Sequence, residues 1–238
     1  QAIGTGYGRI RTGQADLMLV GGADELHETA VMTFDIVGGA ATNTDNDPDR
    51  APRPFDRDRQ GIIVGEGGGM LVLENRDHAL ARGATIYGEV LGYGANCDAR
   101  HMSAPEPGGM KSCVEKCLGD AGLPASTVDY VNAHATGTRI GDASEAEALH
   151  AVFGEHVPVS SSKGHLGHML GACGAVEAAV CLEAMARGVV PPTRNLVHPD
   201  VAPIELPVEP SERRLNTVLS TNFAFGGINT AVLLGAHR

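Results

Sequence analysis

Two stretches of the sequence concentrate side chains able to do chemistry. In VNAHATGTRIGD, residues 131–142, His134 is followed by hydroxyls at Thr136 and Thr138. In SSSKGHLGHMLGACGAVE, residues 160–177, Lys163, His165 and His168 precede a small-residue run holding Cys173 and Glu177. Alternate positions on an extended chain share a side, so Thr136 and Thr138 can line one wall. A lone histidine is ordinarily a buried ring satisfied by backbone, and that reading stands for His134 taken by itself. His134, Lys163 and His168 together make a set rich in donors and poor in acceptors. Such a set suits a negative charge that forms during reaction, an enolate or a thioester oxyanion. A metal is the competing chemistry, but His165-x-x-His168 has no third ligand, no acid is interleaved, and Lys163 repels a cation. No metal site is expected, and His165 is expected to be structural or solvent-facing.

Glu177 sits in the apolar run GAVEAAV. If buried it needs a partner, for which Lys163 is the best candidate; if exposed it needs none. Cys173 reads as a small apolar filler with no base at a matching spacing, and Cys113 and Cys117, one helical turn apart, as packing residues. Phe225, in NFAFGGIN, precedes a glycine pair that forces a tight turn. It either packs in the core or closes a hydrophobic passage, with its backbone N–H turned toward an oxyanion.

These residues need elements to place them. Residues 2–12 read as a helix ending at Gly13, ADLMLVGGADE as a buried strand, residues 28–37 as a helix and GMLVLEN as a second buried strand. Between them TNTDNDPDRAPRPFDRDRQG, rich in Asp, Pro and Arg, reads as a solvated surface loop. The helix RDHALARG, the strand-like TIYGEVLGYGANCD and an amphipathic helix over residues 107–121 follow. STVDYVNAHATGT and VPVSSSKG each read as a strand running into a loop. If those strands are neighbours, His134, Lys163 and His168 converge, since functional side chains of α/β folds gather where strands end. A long small-residue helix begins near His168, and its N-terminal N–H groups favour an anion. NTVLSTNFAFGGINTAVLLG reads as a hairpin. Alternating strands and helices predict an α/β sheet covered by helices, with the weakest point for a boundary near residues 75–85.

Composition narrows the classes. At 238 residues, 42% hydrophobic and 20% charged, the chain is ordinary globular protein. Its net charge of −11 argues against a general affinity for nucleic acid or anionic membranes. No apolar run approaches the roughly 20 residues needed to span a bilayer. Five cysteines, odd in number and without a C-x-x-C pair, predict reduced thiols in the cytoplasm. The opening QAIGTGYGRIRTG has neither a Met nor a signal-peptide layout and starts within a helix, as expected of a segment of something longer.

NAHATGTRIGD, SSSKGHLGHMLGACGAVE and NFAFGGIN, with PFDRDRQGIIVGEGGGMLVLE and HALARGATIYGEVLGYG, resemble the β-ketoacyl-acyl-carrier-protein synthases. These are the condensing enzymes of fatty acid and polyketide synthesis, and the likeness is to the elongating type. The resemblance implies a thiolase-like α/β fold in αβαβα layers, here a partial first half (residues 1–78) and a complete second half (79–238). It places the nucleophilic cysteine a few residues before Gln1. It implies a decarboxylative Claisen condensation of a malonyl thioester with an acyl thioester, both delivered on acyl carrier protein. No resident cofactor is implied, because phosphopantetheine arrives on the carrier. His134 and His168, as neutral donors, stabilise the enolate; Lys163 organises the site with Glu177. Thr136 and Thr138 line the substrate tunnel. Phe225 is the gate, with its N–H in the oxyanion hole. The resemblance also implies a cytoplasmic homodimer or ketosynthase heterodimer. Other relatives stay open: a non-catalytic chain-length-factor-like subunit, a decarboxylase-only enzyme, and a thiolase-like enzyme using coenzyme A.

Overall fold

A computed structural model of the chain describes residues 1–42, 47–101 and 103–237. In chain order, α1 (Ala2–Arg11), β1 (Leu17–Asp24), α2 (Glu28–Ile36) and β2 (Gly67–Glu74) come first, then α3 (Arg76–Ala81), β3 (Glu89–Cys97) and α4 (Pro107–Ala121). β4 (Tyr130–Asn132), α5 (Arg139–Phe153), β5 (Val159–Ser160), α6 (Lys163–Leu166) and α7 (Cys173–Arg187) follow. The short pair β6 (Val189–Val190) and β7 (Ser211–Glu212) precedes β8 (Thr217–Ala224) and β9 (Ile228–Gly235). Local signals set the ends: Pro107 opens the first turn of α4, and Gly122 and Gly188, left-handed at φ 66° and 65°, close α4 and α7.

The central sheet runs β3–β9–β8–β4–β5. β3, β9 and β8 pair antiparallel, whereas β4 lies parallel to both β8 and β5. Period-two alternation feeds two cores. Val131, Leu219, Ala231 and Leu233 face α4 and α5, while Tyr130, Val218, Val232 and Leu234 face α7 and α1. Beyond α1 and α7 lies a second sheet, β1 paired antiparallel with β2. The layers are therefore helix, mixed sheet, helix, two-stranded sheet.

Three sequence expectations need correction. β1 and β2 are buried on one face only: Val20, Leu71 and Leu73 point to the α1/α7 layer, but Leu17, Leu19, Met70 and Val72 are exposed. No described element covers that outer face. The predicted solvated loop over residues 42–61 is largely anchored, with residues 43–46 outside the described residues. Phe55, Asp56 and Arg59 are buried. The Asp56 carboxylate accepts the backbone N–H groups of Asp58, Val197 and His198, and those bonds outweigh burial and hold its pKa below the usual value. The Arg59 guanidinium donates to the carbonyls of Asp56, Thr138, Arg139 and Asp200. Charge-assisted bonds of this kind explain how alternating charges leave the solvent. Last, the long helix starts at Cys173 and not near His168, because Gly167 (φ 68°) and Leu170 (φ 47°) break the chain ahead of it. Lys163 occupies a one-turn helix instead of a loop.

Candidate active site

β4 and β5 are parallel neighbours, so the loops that leave them emerge side by side. Ser161, just past β5, donates its hydroxyl to the Ala135 carbonyl past β4 (2.8 Å) and ties the two loops together. His134 and His168 then meet with ring centroids 5.2 Å apart and planes at 85°. Both line a cavity of about 720 Å³, together with Thr136, Thr138, Glu145 and Phe225. The Thr136 and Thr138 hydroxyls lie 3.2 Å apart on its wall.

The position of His134 is fixed from behind. The Glu145 carboxylate, projecting from α5, accepts the His134 N–H (2.9 Å) and the Ala135 N–H (2.7 Å), and the Thr221 hydroxyl donates to it at 2.7 Å. Burial pushes the Glu145 carboxyl up to about 7 against these bonds. One helical turn earlier on α5, Asp142 accepts the N–H groups of Phe55 (2.8 Å) and Gly137 (3.1 Å). The sequence reading missed both acids. Their signal was the three-residue spacing in DASEAEA, which puts them on one face of a helix that is otherwise alanine-rich there.

His168 is held by the segment between α2 and β2. Its N–H donates to the Ile63 carbonyl (2.7 Å), and its carbonyl accepts the Gly65 N–H (2.9 Å), a short parallel bridge centred on Val64. Its ring Nδ1 faces the Leu170 N–H (3.3 Å) and Cys173 Sγ (3.2 Å). That last contact corrects the expectation for Cys173. The base comes from the irregular turn before α7, where helical spacing does not apply.

Lys163 is only 2% exposed, and its ammonium pairs with the fully buried Glu177 carboxylate. Asn222 donates to the other Glu177 oxygen at 2.8 Å. Burial alone would lower the Lys163 pKa, but the Glu177 carboxylate overrides it and the net direction is upward. The ammonium in turn acts on the imidazoles. Burial first, then the charge of Lys163, lowers His168 to about 3 and His134 well below its ordinary value. Both rings are thus neutral at physiological pH and present imidazole N–H donors to whatever occupies the cavity, whereas Lys163, paired with Glu177, does not line it.

Phe225 sits at the β8–β9 turn, partly exposed, with its ring 5.5 Å from that of Phe34. Phe34, from α2, also lies 6.3 Å from the His168 ring, a neighbour the sequence did not reveal. His165 is exposed with its Nε2 3.4 Å from the Pro192 carbonyl, away from the cavity lining. Cys113 and Cys117 are buried among core residues, and all five thiols are free. Among the described residues no group of three His, Cys, Asp or Glu side chains is placed to hold a metal ion, and no helix is long and apolar enough to cross a membrane.

Known proteins are similar to this chain in sequence and fold. Two family models match the chain: "Beta-ketoacyl synthase, N-terminal domain" over residues 1–79 and "Beta-ketoacyl synthase, C-terminal domain" over residues 87–197. The chain is 41% identical over 236 residues to the chloroplastic 3-oxoacyl-[acyl-carrier-protein] synthase II of Arabidopsis thaliana, covering 96% of this chain and 44% of that protein. A solved β-ketoacyl synthase from Burkholderia phymatum matches with a TM-score of 0.97 at 47% identity, over 100% of this chain and 59% of that one. The ishigamide ketosynthase/chain length factor structure matches with a TM-score of 0.93 at 38% identity, over 100% and 58%. The chain spans about half the length of the curated relatives it matches.

Proposed function

The chain belongs to the β-ketoacyl synthase family, with its thiolase-like α/β fold, and from that premise we propose that it serves the decarboxylative condensation of a malonyl thioester with an acyl thioester. The observation that carries the reading is the pair of neutral imidazoles 5.2 Å apart in one cavity, beside a buried ammonium. When the malonyl carboxylate leaves as CO₂, the electrons of the breaking carbon–carbon bond pass into the thioester and make an enolate. His134 and His168 each donate an N–H to its oxygen. The α-carbon then attacks the acyl carbonyl, the acyl carbon–sulfur bond breaks, and a β-ketoacyl thioester and a thiolate result. Fixed donors aimed at a developing oxyanion in a site screened from water are the largest usual source of such rate gains.

Burial, and after it the charge of Lys163, keeps the two rings unprotonated, and Glu177 holds that ammonium in place. Thr136 and Thr138 line the passage for the thioester arm, and Phe225 is its gate, its N–H assigned to the acyl oxyanion. None of the five cysteines lines the cavity, so the acyl chain is carried by another thiol. The thioesters arrive on acyl carrier protein, a partner supported by the name of the Arabidopsis relative. The protein works without a resident cofactor, as a dimer, in the reducing cytoplasm that suits five unpaired thiols. A purely structural chain-length-factor role is disfavoured because His134, Lys163 and His168 are all present.

Release of labelled CO₂ from malonyl-carrier tests the reading. In the intact protein, His134→Ala and His168→Ala should each lower the rate by about 10²-fold or more, the usual effect of deleting one oxyanion donor. Undiminished release by both variants would refute it.

A further inference from the structure

Cys173 is the first residue of α7 and 1% exposed. Its Sγ lies 3.2 Å from His168 Nδ1, the nitrogen that also receives the Leu170 N–H at 3.3 Å. A peptide N–H can only donate. Nδ1 therefore offers its lone pair on that side, and the single ring proton of neutral His168 sits on Nε2. A thiol beside the same lone pair acts as a second donor. It does not act as a nucleophile: Cys173 does not line the cavity, and burial pushes its thiol up to about 11, so it keeps its proton.

We propose that Cys173 is a positioning residue for His168, its S–H joining the Leu170 N–H to hold the ring in the Nε2–H tautomer. The ring then turns an N–H, and not a lone pair, toward an oxygen anion in the cavity. The inference rests on the reading of His168 as a donor to the enolate. It also separates the two histidines. His134 Nδ1 is buried and has no hydrogen-bond partner among the described residues. The chain sets the tautomer of one ring and leaves the other to its ligand.

Ring-nitrogen NMR of the intact protein labelled with ¹⁵N-histidine tests this directly, with His168→Gln assigning the resonances. At neutral pH His168 should appear as a single Nε2–H tautomer. Cys173→Ser keeps a donor and should preserve that signature, whereas Cys173→Ala should shift the Nδ1 resonance of His168 and leave His134 unmoved. The kcat for CO₂ release from malonyl-carrier should fall about two- to fivefold in Cys173→Ala at unchanged KM, the size of one weak hydrogen bond, and recover in Cys173→Ser. An unshifted His168 ring in Cys173→Ala, or an Nδ1–H tautomer in the parent, overturns the proposal. The spectra decide this whether or not the protein decarboxylates; full CO₂ release by His168→Ala would instead defeat the functional reading.

Discussion

At the scale of the residue, holding an imidazole neutral has a thermodynamic consequence. His168 titrates near its ordinary value of 6.5 when the chain is unfolded, but only at about 3 in the fold, where burial and the Lys163 charge oppose protonation. Between those values the unfolded state binds more protons, so stability falls as pH drops from 6.5. One such group contributes a slope of up to about 1.4 kcal/mol per pH unit. His168→Gln should therefore flatten the pH dependence of the urea midpoint in this window, and curves parallel to the parent's would contradict the shift. Much of the site at this scale was legible: His134, Lys163 and His168 stand out as a set by type and spacing, and of the two readings open for Glu177 the structure takes the buried one, paired with Lys163. Asn222 and Phe34 were not legible, and Glu145 was marked only by its three-residue spacing from Asp142. Each acts through partners ten or more residues away, which local spacing does not identify.

Among the elements, the β8–β9 hairpin shows what local rules can do. Its two strands alternate into opposite cores, and Gly226 and Gly227 take φ 80° and 73° in the turn behind Phe225. A Cβ on Gly227 would lie 1.9 Å from the Asp98 carboxylate oxygen. Gly227→Ala adds that overlap to the ordinary penalty of a left-handed backbone, roughly 1 kcal/mol. We expect a lower melting temperature and a displaced Phe225, read as slower acyl loading with CO₂ release retained. A variant matching the parent in both would show that the turn relaxes freely. The convergence of the two loops depended on β4 and β5 being neighbours, which the structure supplies, whereas the hairpin and α4 were predictable from periodicity and turn residues. The start of α7 was not, because a positive φ at a leucine leaves no mark in the sequence, and the burial of Phe55, Asp56 and Arg59 was masked by their charged neighbours.

For the whole molecule, the outer face of β1 and β2 dominates. Leu19 is 62% exposed and sits opposite Val72 in the ladder, with Leu17 and Met70 alongside. An apolar sheet face of this kind promotes association. The 238-residue chain should form concentration-dependent oligomers, and a Leu19→Lys, Val72→Lys double replacement should raise its solubility without altering its circular dichroism. Unchanged light scattering after both replacements would count against the face as the cause. The short apolar runs that predicted these strands could not tell one covered face from two. The bridge at Val64 carries a different consequence. The backbone of His168 is clasped by Ile63 and Gly65, and the loop bearing Thr138 is clasped by Arg59, all from ahead of β2. The sequence divides easily after β2, but the reactive centre does not. Parts exchanged between homologues at that seam would have to be matched on both sides, because each segment serves as the mould in which the other's working loop is cast.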